Sequence, residues 1–107
     1  MLGDYEKELD KLWPAKRYKV WFTEYGAQSA PDRYGASLTG QAAFVKAALK
    51  KVIKKHKRVQ ALVWFLVRDE TVELPGESDN WQSGLRDESG NAKPAYQAWV
   101  DTVTTLL

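Results

Sequence analysis

Two apolar runs with a helix-length amphipathic segment between them constrain this chain more than any other feature. The first is Val20-Trp21-Phe22-Thr23-Glu24-Tyr25-Gly26. Over residues 18–24 it alternates, so that Tyr18, Val20, Phe22 and Glu24 share one side and Trp21 and Thr23 the other. The second, Gln60-Ala61-Leu62-Val63-Trp64-Phe65-Leu66, is almost unbroken in its apolar character. Both sides of both runs are apolar, the pattern of parallel strands covered on two faces. Between them Ser37 is placed to cap a helix that extends to about residue 56, with Leu38, Ala42, Val45, Leu49, Val52 and Ile53 on one stripe. A strand, a helix of that length and another strand imply parallel pairing through a right-handed crossover.

The flanking segments extend the pattern. Tyr5, Leu9 and Leu12 share a helical face over residues 4–13, and Pro14 stops that helix. Pro94 suits the first position of a last helix whose apolar face is Tyr96, Trp99, Val100, Val103 and Leu107. The order is helix, strand, helix, strand, helix, an α/β arrangement in one domain over residues 1–107. The links into the strands are short. The loops after them, 25–36 and 68–92, are long and carry Trp, Arg, Asp, Glu and Gln. That asymmetry places a binding face at the C-terminal ends of the strands, where Glu24 stands. Trp13, Trp21 and Trp99 fall on helix or outward strand faces and are expected in the core.

Composition narrows the chemistry. An apolar content of 44% with five Trp gives enough surface to fold. The formal net charge of +2 exerts no strong pull toward nucleic acid or membrane. The basic residues Lys50, Lys51, Lys54, Lys55, Lys57 and Arg58 have no interleaved aromatics and read as a solvated helix end, where cations meet the helix dipole. With no cysteine and a single histidine, His56, no disulfide framework or metal site is expected. Gly26, Gly35 and Gly40 lack phosphate-loop spacing, and no cofactor is expected. The N-terminus has no signal-peptide pattern, and the longest apolar stretch falls short of the roughly 20 residues of a membrane span. A soluble chain is expected, while a longer parent would still permit secretion.

Four blocks in order, Val20-Trp21-Phe22-Thr23-Glu24-Tyr25-Gly26, Val63-Trp64-Phe65, Trp81-Gln82-Ser83-Gly84-Leu85 and Gly90-Asn91-Ala92-Lys93-Pro94-Ala95-Tyr96, resemble the C-terminal end of clan A glycoside hydrolases, in their cellulase-like and xylosidase-like families. The resemblance covers the chain from Lys16 onward. It implies the seventh and eighth βα units of a (β/α)8 (TIM) barrel, about a quarter of one. It implies that Glu24 takes the place of the catalytic nucleophile and Trp64 that of the aromatic sugar platform. Trp81 and Gln82 take places in the loop that helps line the cleft, and Lys93-Pro94-Ala95-Tyr96 the start of the eighth helix. The Asn-Glu pair that carries the clan's acid/base glutamate is absent from this sequence.

Retaining glycoside hydrolysis needs two carboxyl groups about 5–5.5 Å apart. Glu24 can supply the nucleophile; read without the resemblance it is an exposed strand-end glutamate. Asp69, Glu70, Glu73, Glu77 and Asp79 are the other nearby acids, and loop acids of this kind are usually solvated. Trp64 and Trp81 offer flat apolar faces for an oligo- or polysaccharide, and packing in the core is the other reading of each. The expectation is a glycoside hydrolase piece, inactive alone, that completes its barrel by self-association or with complementing segments. The alternatives are a non-catalytic module binding saccharide or protein, and a self-assembling barrel fragment.

Overall fold

The structure, a computed structural model, describes residues 2–15, 18–71 and 80–106. Helix α1 (Leu2–Leu12) precedes strand β1 (Val20–Tyr25). Helix α2 (Leu38–Ala47) continues as a π-helical stretch (Ala48–Ile53) into strand β2 (Val59–Trp64), and helix α3 (Pro94–Leu106) follows the long loop. The two strands form a parallel sheet, as the spacing requires. Ser37 caps α2 as expected, its side chain accepting from the Gly40 backbone N–H at 3.0 Å. Pro94 occupies the first turn of α3, where its missing N–H has no intrahelical partner to lose.

The core lies between the sheet and the helix pair α2–α3. Val45, Leu49, Trp64, Leu85, Ala95 and Ala98 form one buried cluster, with Tyr25, Ala42, Ile53, Tyr96, Trp99 and Val103 packed against it. Burying each large member stabilises the fold by about 1.5–3 kcal/mol. Two details depart from the apolar stripes. Gln41 is fully buried on α2, and its Nε2 donates to the carbonyl of Ala27 at 2.9 Å, which ties the helix to the loop after β1. On α3 the buried positions are Ala95, Ala98 and Thr102, while Val100 is exposed. Small side chains let the α3 backbone approach α2, so the larger residues pack at the flanks. Leu107 lies outside the described residues.

The sheet is covered on one face, not two. Trp21 is 65% exposed and Val63 54%, and α1 comes near this surface only across a cavity that Tyr5 and Leu9 border together with Trp21. Trp13 is also exposed, meeting Tyr18 edge to face at 5.4 Å. The core places expected for Trp13 and Trp21 are thus not taken, because apolar character on a strand reports what the residue can pack against and not whether a layer is present. Trp99 does join the core. Helix α1 meets the segment before β2 through Arg58 Nη1, 2.9 Å from Asp10 Oδ1, and His56 Nδ1, 3.5 Å from Glu6 Oε2. The result is a slab of 51 × 32 × 17 Å with a radius of gyration of 15.9 Å, against about 13 Å for a compact domain of this length. No helix among the described residues is long and apolar enough to cross a membrane.

Candidate functional site

The end of β1 departs from simple alternation, and this decides where Glu24 points. Phe22 pairs with Leu62 and Tyr25 with Trp64, so β1 advances three residues while β2 advances two. One extra residue in a strand is a β-bulge, which re-aims the side chains around it. Phe22 and Tyr25 consequently share the helix-facing side, with ring centroids 5.5 Å apart, and Tyr25 stacks on Phe44 of α2 at 5.7 Å. Glu24 is left off that side and exposed. The alternation that grouped Glu24 with Phe22 stops at the bulge.

Glu24 borders a cavity of about 200 Å³ whose wall includes Gly26, Gln28, Phe65, Trp81 and Ser83. Phe65 and Trp81 meet edge to face at 5.6 Å and 89°, and Trp81 keeps 49% of its surface exposed. The floor is tight. A Cβ added to Gly26 would lie 2.5 Å from the Phe65 carbonyl oxygen. Ser83 is buried, and its Oγ has no hydrogen-bond partner among the described residues. Glu24 is the one carboxylate among the described residues that line this cavity.

Trp81 borders the same cavity as Glu24. Trp64 does not. It is 8% exposed, packs edge-on against Phe44 and Trp99 at 6.1 Å, and donates from Nε1 to the Ser83 carbonyl at 2.8 Å. Its ring is therefore closed to a sugar, and the aromatic residue that β2 presents to the cavity is the next one, Phe65. Gln82 is also buried and away from the cavity. Its Nε2 donates to the Glu70 carbonyl at 3.0 Å and its backbone N–H to Gln28 Oε1. No sequence signal distinguished Trp64 from Phe65, since a parallel strand end with two adjacent aromatics reads alike in either phase.

The loop acids separate into two kinds. Asp69 is buried and paired with Lys93, with Nζ 3.0 and 2.9 Å from the two carboxylate oxygens. Glu70 accepts the Trp81 backbone N–H at 2.9 Å. Both border a different cavity with Arg68 and Thr71, not the one at Glu24. Glu73, Glu77 and Asp79 lie outside the described residues. Among the described residues no cluster of three or more His, Cys, Asp or Glu could hold a metal ion.

Two solved structures share the fold of this chain. A β-glucuronidase from Faecalibacterium prausnitzii superposes with a TM-score of 0.64 at 20% identity, over 94% of this chain and 18% of that one. A glycoside hydrolase family 2 β-galacturonidase from Eisenbergiella tayi, bound to galacturonate, gives 0.61 at 18% identity, over 95% of this chain and 21% of that one. The chain spans about a fifth of the length of these structures. At this identity the likeness is one of fold. No protein-family model and no curated protein sequence matches the chain.

Proposed function

We propose that this chain carries the nucleophile strand of a retaining β-glycoside hydrolase, with Glu24 as the nucleophile and Phe65 and Trp81 as the aromatic wall beside the sugar. The observation that carries this reading is the exposed Glu24 carboxylate at the end of a parallel strand, bordering a cavity walled by two aromatic rings. Both structural neighbours are β-glycosidases by name, which supports a β-linked saccharide as the substrate class. In the reaction, a Glu24 oxygen attacks the anomeric carbon as the glycosidic bond breaks, giving a glycosyl-enzyme that water then hydrolyses. The acid that protonates the leaving oxygen, and later serves as base, comes from outside the cavity wall described above. The chain by itself is then inactive on ordinary glycosides.

The two strands are read here as the seventh and eighth of a (β/α)8 barrel. Support comes from the uncovered sheet face with Trp21 and Val63, and from two strands whose outer edges have no partner in the two-stranded sheet. Such edges pair readily with further strands, supplied by more of the barrel or by other copies of the chain. Light scattering tests this: a compact monomer at micromolar concentration counts against completion by self-association.

The nucleophile is tested with 2,4-dinitrophenyl 2-deoxy-2-fluoro-β-D-glucoside and the corresponding β-D-glucuronide, whose leaving groups need no acid. The expected result, with the chain in its associated form, is a covalent adduct on Glu24 found by peptide mass spectrometry and absent in Glu24→Gln. No adduct, together with cellobiose binding that survives Glu24→Gln and fails in Trp81→Ala, would replace the hydrolase reading with a saccharide-binding module.

A further inference from the structure

Asp69 and Lys93 are the most deeply buried ionisable pair among the described residues, with side chains 3% and 4% exposed, and the chemistry at Glu24 makes no use of them. What they hold is specific. Lys93 Nζ donates to both Asp69 oxygens and, at 3.2 Å, to the Gln82 carbonyl. Asp69 Oδ1 also accepts the Gly84 backbone N–H at 2.7 Å. The pair therefore grips the backbone on either side of Ser83. Trp64 holds the carbonyl of Ser83 itself, and the Ser29 N–H donates to the Gln82 carbonyl at 3.1 Å. Residues 81–84 are thus fixed from behind at almost every polar backbone atom, while Trp81 and Ser83 border the cavity in front.

We infer that Asp69 and Lys93 are positioning residues for the Glu24 cavity: they set the place of Trp81 and Ser83 by pinning the Gln82 carbonyl and the Gly84 N–H. The inference rests on the hydrolase reading for what the cavity binds, but the placement of Trp81 is independent of it. An ammonium has three donors, and here three are used, on two carboxylate oxygens and one backbone carbonyl. An apolar pair of the same volume would fill the space but take away the Nζ donor to that carbonyl, which Ser29 also holds, and the acceptor of the Gly84 N–H. Buried ion pairs often add little net stability over such isosteres, so retention of fold is compatible with loss of position. A shift of about 1 Å in a substrate-contacting group is enough to cost on the order of a hundredfold in rate.

The test uses the full chain labelled with 5-fluorotryptophan. The five fluorine resonances are assigned by single Trp→Phe changes. In the neutral double variant Asp69→Asn with Lys93→Met, the Trp81 resonance is expected to shift or broaden while those of Trp13 and Trp99 stay in place. Cellobiose titrated against the same sample is expected to bind about tenfold more weakly, a change of roughly 1.4 kcal/mol. Lys93→Arg keeps the charge pair, and serves where the neutral variant unfolds. A planar guanidinium does not reproduce the single Nζ that meets all three acceptors, so Trp81 should again be displaced. A folded variant of either kind with an unmoved Trp81 resonance overturns the inference. If Trp81 moves but the unaltered chain never binds cellobiose, the positioning role stands and the saccharide reading fails.

Discussion

The indole Nε1–H of Trp64 donates to the Ser83 carbonyl at 2.8 Å, so a side chain of the core reaches the backbone of the cavity wall. The same ring contacts Phe44 from α2 and Trp99 from α3. Trp64 thus couples the packing of the helix layer to the loop that carries Trp81. The residue to which the resemblance gives the sugar-platform place acts instead as a strut behind the cavity wall.

Trp64→Phe keeps most of the apolar area but leaves the buried Ser83 carbonyl without its donor. The expected loss is about 2 kcal/mol, the usual cost of an unpaired buried polar group. Trp81→Ala, at a half-exposed position, should change stability by no more than about 0.5 kcal/mol. Urea denaturation of the two variants separates these roles. Equal losses would mean that both rings are structural.

Ser37→Ala removes the side-chain acceptor for the Gly40 N–H at the start of α2. Loss of such a cap costs about 1 kcal/mol. Ser37→Asp should restore the bond and add a favourable charge at the helix N-terminus. Thermal melts ranking Asp at or above Ser, and Ser above Ala, are the expected outcome. An unchanged melt for Ala would show that the cap contributes nothing.

Gly84 lies against backbone on three sides. A Cβ there would come within 2.3 Å of Asp69 N, 2.5 Å of the Arg68 carbonyl carbon and 2.7 Å of the Arg86 carbonyl oxygen. No rotamer relieves a clash with backbone, so Gly84→Ala should destabilise by about 3 kcal/mol, the upper range for overpacking. Gly3 in α1 has nothing within 4 Å. Gly3→Ala should be neutral or gain up to about 0.5 kcal/mol through helix propensity. Denaturation midpoints for the two alanine variants check the contrast.

Much of the scaffold was legible because local chemistry wrote it. Ser37 and Pro94 mark helix starts for reasons that lie within a few residues, and Val45 and Leu49 follow the helical period into the core. The parallel pairing followed from the length of helix between two apolar runs. What escaped needed long-range information. The bulge before Tyr25 turns Glu24 away from Phe22, and a two-residue period cannot show an inserted residue until the partner strand is seen. Gln41 sits inside an apolar stripe because a carbonyl 14 residues away receives its amide. The Asp69–Lys93 pair joins positions 24 residues apart, so neither looks buried in its own polar loop. The exposure of Trp21 and Val63 is not legible in their strands, because strand sequences do not record which face lacks a layer.

Asp87 gives a prediction in pH. Its Oδ1 accepts the backbone N–H of Asn91 at 2.8 Å and of Ser89 at 3.0 Å, and its Oδ2 accepts from Asn91 Nδ2 at 3.2 Å. The Asn91 N–H is the main cause that holds the carboxyl below its ordinary value of 3.8, with burial opposing and the Asn91 side chain and the Ser89 and Gly90 N–H groups assisting. All of these donors favour the charged form. A carboxyl lower in the folded than in the unfolded chain contributes stability that is fully present above the unfolded value. That contribution is lost as pH falls through the folded one. The turn 87–91 should therefore hold through pH 5 and loosen only below the ordinary carboxylate midpoint. Amide chemical shifts of Ser89 and Asn91 followed from pH 6 to pH 2 should move together, with a midpoint under 3.8. In Asp87→Asn that transition should disappear. A midpoint at or above the ordinary value would show that these bonds do not favour the carboxylate, and that the turn is held by its other bonds, from the Asp87 N–H to the Asn91 carbonyl, the Gly90 N–H to the Asp87 carbonyl and Arg86 Nη1 to the Gly90 carbonyl.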